Sequence, residues 1–278
     1  FKFRSKRESP RWRSGWDWAL FAGGAVPALV FGVAVGNVLQ GVPFRLTPDL
    51  MPVLEGSVHG RFLRLLDPFS LLCGAVSLAM LLTHGAAWLS LKAEGAVAAR
   101  ARRIGFATGL LTLAGFGLAG LWLAAGIDGY RLVSPHVPEA ASNPLWGEVE
   151  RGGSWLRAYA ARPWIAIAPA LGILGMAMAV RGLRAGREVP TLLWSQLGIF
   201  GTISSVGLTM FPFLLPSSTD PGSSLTVWNA SSSKLTLFVM LVATVLLLPV
   251  VLAYTAWVYR VLWGKVGEAD VAEGSDSY

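Results

Sequence analysis

Charge is scarce in this sequence. Asp, Glu, Lys and Arg make up 14% of its 278 residues, against roughly 25% in an ordinary globular chain. So few charges cannot dress a water-soluble surface of this size. A soluble fold of one large or two modest domains, the usual reading of this length, is excluded, as is disorder, which needs high charge and few apolar residues. Cysteine is scarcer still. Cys73 stands alone, which rules out an internal disulfide and an iron–sulfur cluster. The His, Cys, Asp and Glu positions form no metal-binding pattern. There is no Walker loop, no dinucleotide fingerprint behind a strand and no Ser/His/Asp set. Neither an internal repeat nor a low-complexity segment interrupts the chain.

What the sequence has is apolar length: 54% of residues are hydrophobic and twelve are Trp. A membrane helix needs about 20 mostly apolar residues to cross ~30 Å of hydrocarbon. Six stretches qualify: 18–39, 69–91, 104–126, 164–180, 191–215 and 235–259. The expected fold is an all-α integral membrane protein, a polytopic bundle of six transmembrane helices. Residues 1–265 form the bundle and 266–278 an acidic cytoplasmic tail. Asp67-Pro68 supplies an N-cap and a first-turn proline for the second span. Pro190 is expected in the first helical position of the fifth, and Ser231, Ser232 and Ser233 offer caps for the sixth. Pro27, Pro169 and Pro249 fall inside spans and are expected to kink them.

The net charge of +7 resembles a nucleic-acid signal until its distribution is read. Fifteen of the 23 Lys and Arg fall in the N-terminal segment, the second and fourth connections and the C-terminal segment. These include Lys92, Arg100, Arg102, Arg103, Arg181, Arg184, Arg187, Arg260 and Lys265. Positive charge stays inside, so both termini are expected in the cytoplasm and no nucleic-acid partner is implied. The outer connections, at about 29, 37 and 19 residues, are longer than structureless loops usually are. Within the second of them, 148–162 mixes Trp155, Leu156 and Tyr159 with charges and is expected to lie as an interfacial helix. Asn229-Ala230-Ser231 matches the glycosylation sequon and also reads as loop and helix cap. The chain opens on Phe1 with a basic segment and no signal-peptide pattern, and reads as a fragment lacking its N-terminal part.

Polar residues within spans are the functional candidates. Asp17, between Trp16 and Trp18 at the inner mouth of the first span, is a hydrated interfacial carboxylate or a functional acid. Asn37 and Gln40 close the same span. Ser195, Gln196, Ser204, Ser205 and Thr209 either bond back to the backbone or form a polar track in the fifth. His84 is the only histidine within a span, while His59 and His136 lie in outer connections. A haem held across a bilayer usually takes two axial ligands from different helices. Met80 lies one turn from His84 on the same helix and cannot take the opposite position, so an interhelical hydrogen bond is the other reading of His84. No catalytic, cofactor-binding or metal residue is assigned. Gly24, Ala28, Gly32 and Gly36 form a small-residue stripe, and Gly105 and Gly109 a second, which implies close helix packing. The residues alone describe a membrane bundle that is a transporter or a subunit of something larger. The repeated halves expected of a secondary transporter are not visible.

Eight motifs then carry a resemblance. They are Trp16-Asp17-Trp18; Gly36-Asn37 through Gly41-Val42-Pro43-Phe44; Leu66-Asp67-Pro68-Phe69; Gly126-Ile127-Asp128-Gly129-Tyr130; Ala141-Ser142-Asn143-Pro144-Leu145; Phe211 through Ser218, which reads FPFLLPSS; Leu225 through Leu237, which reads LTVWNASSSKLTL; and Tyr254-Thr255-Ala256-Trp257. In this order and spacing, from Phe1 to about Lys265, the chain closely resembles subunit II of the bacterial cytochrome bd ubiquinol oxidases. The resemblance implies about nine spans in the full family subunit, of which this chain keeps the last six. It implies a role in aerobic electron transport: the complex oxidises quinol and reduces dioxygen to water. It places haem b and haem d in subunit I, with none held by this fragment. Subunit I is then the partner, with small accessory membrane subunits, quinone and lipid as further contacts, in the bacterial inner membrane. A purely structural assembly subunit is compatible with the same resemblance.

Overall fold

The structure, a computed structural model, describes residue 4 and residues 9–54, 60, 63–133, 142–265 and 267. His59, His136 and the acidic tail, apart from Gly267, lie outside the described residues. Among the described residues, six helices are long and apolar enough to cross a membrane. They are α1 (Pro10–Gln40), α2 (Pro68–Lys92), α3 (Gly95–Gly126), α5 (Ile167–Ala185, preceded by a 3-10 turn at Pro163–Ala166), α6 (Glu188–Met210) and α7 (Lys234–Val261). Helix α4 (Arg157–Ala161) is one short turn outside the bundle. The fold class read from the sequence holds.

Several boundaries move, each for a local reason. Helices α1 and α3 begin before the apolar stretches do, at Pro10 and Gly95. Hydropathy marks the part in hydrocarbon, whereas a helix runs on into the interface; the 31 residues of α1 extend about 46 Å. The fifth span ends at Met210, five residues short of the expected 215. Phe213–Leu215 is instead strand β5, paired with β6 (Leu225–Thr226). Pro212 has no N–H to continue the helix and disfavours helical backbone at Phe211. Pro190 is the third residue of α6 rather than the first. First-turn N–H groups have no helical partner, so proline is accepted there. Pro169, third in α5, sits in the same harmless place, whereas Pro27 and Pro249 lie inside α1 and α7.

Asp67 caps α2 as its position suggests, its Oδ1 accepting from Phe69 N at 2.9 Å and Ser70 N at 3.2 Å. Ser233 caps α7 through Thr236 N at 3.3 Å. Helix α5 ends at Gly186, whose φ of 68° is the left-handed conformation that glycine adopts without strain.

Packing follows the small residues. Helix α2 lies against α1, α3 and α6, and α5 against α3 and α6. A Cβ on Gly32 would stand 2.6 Å from the Ser77 Cβ, and one on Gly36 would stand 2.6 Å from the Ser70 Cα. Both stripes therefore find their partners within this chain. The exception is Gly24, which has open space around it, so the α1 face packs from Ala28 onward. Gly105 and Gly109 bring α3 against Ala86 and Thr83 of α2 and against Leu183 and Val180 of α5.

The connections after α1, α3 and α6 meet as one β-rich cap. Strands β1 (Phe44–Leu46) and β2 (Pro52–Leu54) pair antiparallel, as do β3 (Asp128–Leu132) and β4 (Val149–Ser154). The interfacial helix expected at 148–162 is replaced by β4 and the short α4. Gly152 and Gly153, with φ of 147° and 74°, break any helical path there. Hairpins are stitched to one another: Val42 N donates to Pro216 O at 2.9 Å, Ser218 N to Val42 O at 3.0 Å, and Leu46 N to Ser223 Oγ at 2.9 Å. Asn229, the sequon asparagine, is spent in this cap. Its Oδ1 accepts from Thr226 N at 2.7 Å and its Nδ2 donates to Ser224 O at 3.1 Å.

The opposite face carries most of the basic residues. Lys92 Nζ, at the end of α2, donates to Leu262 O at 2.7 Å, and Lys265 pairs with Glu188 at 2.7 Å. The ends of α2 and α7 and the start of α6 are thereby held on one side, as an even number of crossings requires.

Candidate functional site

Two polar groupings sit where the bundle is tightest. The first joins the cap-side end of α1 to the start of α2. Gln40 Nε2 donates to Asp67 Oδ2 at 2.8 Å and to Ser70 Oγ at 3.0 Å. Asn37 Nδ2 donates to Leu65 O at 2.8 Å and to its own helix at Val33 O. Trp155 Nε1 donates to Leu39 O at 2.9 Å, and Tyr130 Oη to Gln40 O at 3.3 Å. The last carbonyls of α1, which have no helical partner, are thus taken by two side chains from the β3–β4 hairpin. Tyr130, Trp155 and Phe213 stack beneath, with ring centroids 5.8–6.0 Å apart, and share a core with Leu39, Phe69 and Met210. Gly41 completes the joint. Its φ of 88° is left-handed, and a Cβ there would collide with the Tyr130 hydroxyl.

Burial pulls the Asp67 carboxyl upward, but bonds from the Ser70 hydroxyl, Gln40 and the Ser70 and Phe69 N–H groups outweigh it. The group stays below the usual carboxylate range. Burial pushes the Tyr130 phenol up, only partly offset by Arg151. Asp67 is therefore an ionised acceptor whose lone pairs are taken, and Tyr130 a neutral donor. The arrangement fixes a helix joint; it offers no free acid or base.

The second grouping lies within the membrane. His84 Nδ1 is 2.9 Å from Ser195 Oγ, which joins α2 to α6. Ser195 Oγ is also 2.8 Å from Leu192 O, so its one proton goes either to its own helix, with Nδ1 of His84 then the donor, or to Nδ1; the two helices are joined in both cases. The interhelical-bond reading of His84 is the one the geometry supports. As a haem ligand His84 would have only Nε2 to offer, with Met80 on the same helix. No group of three or more His, Cys, Asp or Glu gathers among the described residues.

Of the two readings of the α6 hydroxyls, the structure favours bonds to the backbone and across helices over a continuous polar track. Ser195 is fully buried toward α2, whereas Gln196 faces outward. Ser205 donates to Thr202 O at 2.7 Å and Thr209 to Ser205 O at 2.5 Å. These hydroxyls return their protons to their own helix, and only at the cap end does Tyr159 Oη reach Thr209 Oγ1, at 2.7 Å. Asp17 is exposed and pairs with Arg4 at 2.6 Å. The expectations placed Gln40 at a helix end but missed its partners. Asp67 and Tyr130 lie 27 and 90 residues away in sequence, and only the Asp-Pro cap signal pointed toward them.

With this geometry in hand, likeness to known proteins is informative. The family model described as cytochrome bd terminal oxidase subunit II matches residues 1–262. Cytochrome bd-I ubiquinol oxidase subunit 2 of Escherichia coli strain K12 is 42% identical over 278 residues, covering all of this chain and 72% of the relative. Cytochrome bd ubiquinol oxidase subunit 2 of Bacillus subtilis strain 168 is 26% identical over 270 residues, covering 97% of this chain and 69% of the relative. Among solved structures, a chain of the bd oxidase from Geobacillus thermodenitrificans superposes with a TM-score of 0.58 at 16% identity. That superposition covers 89% of this chain and 66% of the other, just under two thirds of its length, and is a likeness of fold.

Proposed function

The chain belongs to the subunit II family of cytochrome bd terminal oxidases, and from that premise we propose that it serves quinol oxidation and dioxygen reduction by completing the haem-bearing subunit I. The observation that carries this reading is the reach of the family match. Residues 1–262 take in all six membrane helices and the cap, so the likeness is of a whole architecture. The complex is an oxidoreductase of the respiratory chain and contains haem. Both haems, b and d, belong to subunit I in this reading, and the donor set around His84 supports that division. Ubiquinol, named for the Escherichia coli relative, is the proposed reductant.

Helix α7 supports the partner. It is apolar over 28 residues, not one of which is buried, and it meets the rest of the chain near its basic end, through Trp88–Tyr259 and Lys92. It has no glycine at all, whereas the helices that pack inside the bundle approach at glycines. The surface of subunit I is proposed to cover it. Gln196, exposed on α6 well inside the membrane, also calls for a polar partner, because an amide facing lipid is costly.

Residues 1–265 are proposed to act as one bundle in the bacterial cytoplasmic membrane, with both termini and the acidic tail on the cytoplasmic side, where positive charge accumulates. The test is purification of the full-length subunit with its neighbours and a reduced-minus-oxidised spectrum. Co-purification with a haem-bearing subunit and quinol-dependent oxygen uptake are expected. A haem-free preparation that takes up no oxygen with quinol would refute the reading.

A further inference from the structure

Away from the cap, toward the basic face, α3 and α5 flank an open cavity of about 460 Å³. It is lined by Arg102, Arg103 and Phe106 from α3 and by Leu183 and Arg184 from α5. Three guanidinium groups from two helices thus share one groove. Among the described residues no carboxylate pairs with any of them. Glu188, a nearby acid in sequence, is taken by Lys265. Positive charge at this face of a membrane protein is ordinary; its convergence on a cavity without counter-charge is a distinct feature.

We propose that this groove holds the phosphate of an anionic phospholipid. Three donors of forked geometry match phosphate oxygens, which guanidinium binds in pairs. Phe106 and Leu183 form the apolar part of the lining, one turn deeper than Arg102 and Arg103 in the case of Phe106. Helices α3 and α5 touch at the floor of the groove, where a Cβ on Gly105 would stand 3.0 Å from Leu183 Cδ1, and again one turn deeper, where one on Gly109 would collide with Val180. The crease is therefore a shallow cradle for a head group, with no path onward into the bundle. Leu110, one turn beyond Phe106 on α3, and Ile173, on the same side of α5 as Arg184, are exposed and apolar. They give acyl chains an apolar surface on the groove side of each helix. Basic pockets between helices at this face suit anionic lipid heads in charge and depth. A free phosphate shares the head-group chemistry but makes no use of the apolar wall.

The test uses the assembled oxidase with full-length subunit II, its haem absorbance certifying assembly. Native mass spectrometry counts phosphatidylglycerol and phosphatidylcholine bound from mixed micelles, with and without millimolar inorganic phosphate. The wild type is expected to retain phosphatidylglycerol preferentially. Each arginine near the surface contributes about fivefold to anionic-lipid binding, so Arg102→Gln/Arg103→Gln/Arg184→Gln should weaken it about 100-fold. Arg131→Gln/Arg151→Gln on the cap side should leave it unchanged. If the triple variant fails to assemble, exposed Arg103→Gln alone carries the test, with a loss of about fivefold. Equal retention by variant and wild type, or equal binding of phosphatidylcholine, overturns the proposal. Displacement of the lipid by inorganic phosphate assigns the groove to a free anion instead.

Discussion

Gly32 of α1 and Gly74 of α2 face each other so closely that a Cβ on Gly32 would stand 2.7 Å from the Gly74 Cα. Neither helix can carry a side chain at that level without parting from the other. Leucine at Gly32 should cost ~1–3 kcal/mol of overpacking and lower the amount of intact oxidase in membranes. Val33, the next residue, is itself buried against Gly74, so it is no neutral control. Gly24, with nothing within 4 Å, is. Gly24→Leu should assemble normally at matched expression, and equal losses at both positions would remove the packing account.

His84→Ala should leave every haem band in place while lowering the thermal midpoint of the complex. The lost bond to Ser195 is interhelical, and such bonds contribute roughly 1 kcal/mol within a membrane. Ser195 can donate to Leu192 O, so no proton is orphaned by the change. Disappearance of one haem band from an otherwise assembled complex would show that His84 is a ligand.

Asp67 should make the joint between α1 and α2 sensitive to acid. Its folded-state pKa lies below the usual 3.8. The stability it contributes is therefore present above that value and is lost as pH falls from there through the depressed one. Asp67→Asn keeps the size and the cap but loses the acceptor for Gln40 Nε2, and should be about 1 kcal/mol less stable at neutral pH. Thermal midpoints of both proteins, taken from pH 7 down to the onset of acid dissociation, should converge at the acid end. A gap that widens there contradicts the assignment.

Sidedness is open to a reporter. A fusion after Tyr278 should read cytoplasmic, and one placed in the turn at Asp220–Gly222 should read from the opposite side. Matching signals would break the six-span alternation.

Much of this fold was legible because membrane helices are specified locally. Apolar length, Asp67-Pro68 and Ser233 each act within a few residues of themselves. Errors fell where apolar character is ambiguous. Phe213–Leu215 suits a helix or a strand equally, and the partner at Leu225–Thr226 that decides for strand is remote. Trp155 looks interfacial in sequence, yet it is buried because Leu39 O, 116 residues away, needs a donor. Of the candidate positions, His84 could be reduced to two readings from its neighbours on α2, but choosing between them needed Ser195 from α6. The three arginines of the α3–α5 groove entered the sequence reading only as a count of charge by side.

The cap has a bearing on how the protein is made. Leu46 and Ser223, whose backbone and hydroxyl meet across it, are separated by 177 residues, and four further membrane crossings lie between them. With the cap on the outer side, as proposed, the β1–β2 hairpin must wait, edge unpaired, until the last outer connection follows it across the bilayer. Closure of the cap thus reports that the four helices between them have been threaded in the right sense. A polypeptide stalled or inverted midway would leave Phe44–Leu46 open to proteases on that side, where a correctly inserted one ties Leu46 to Ser223.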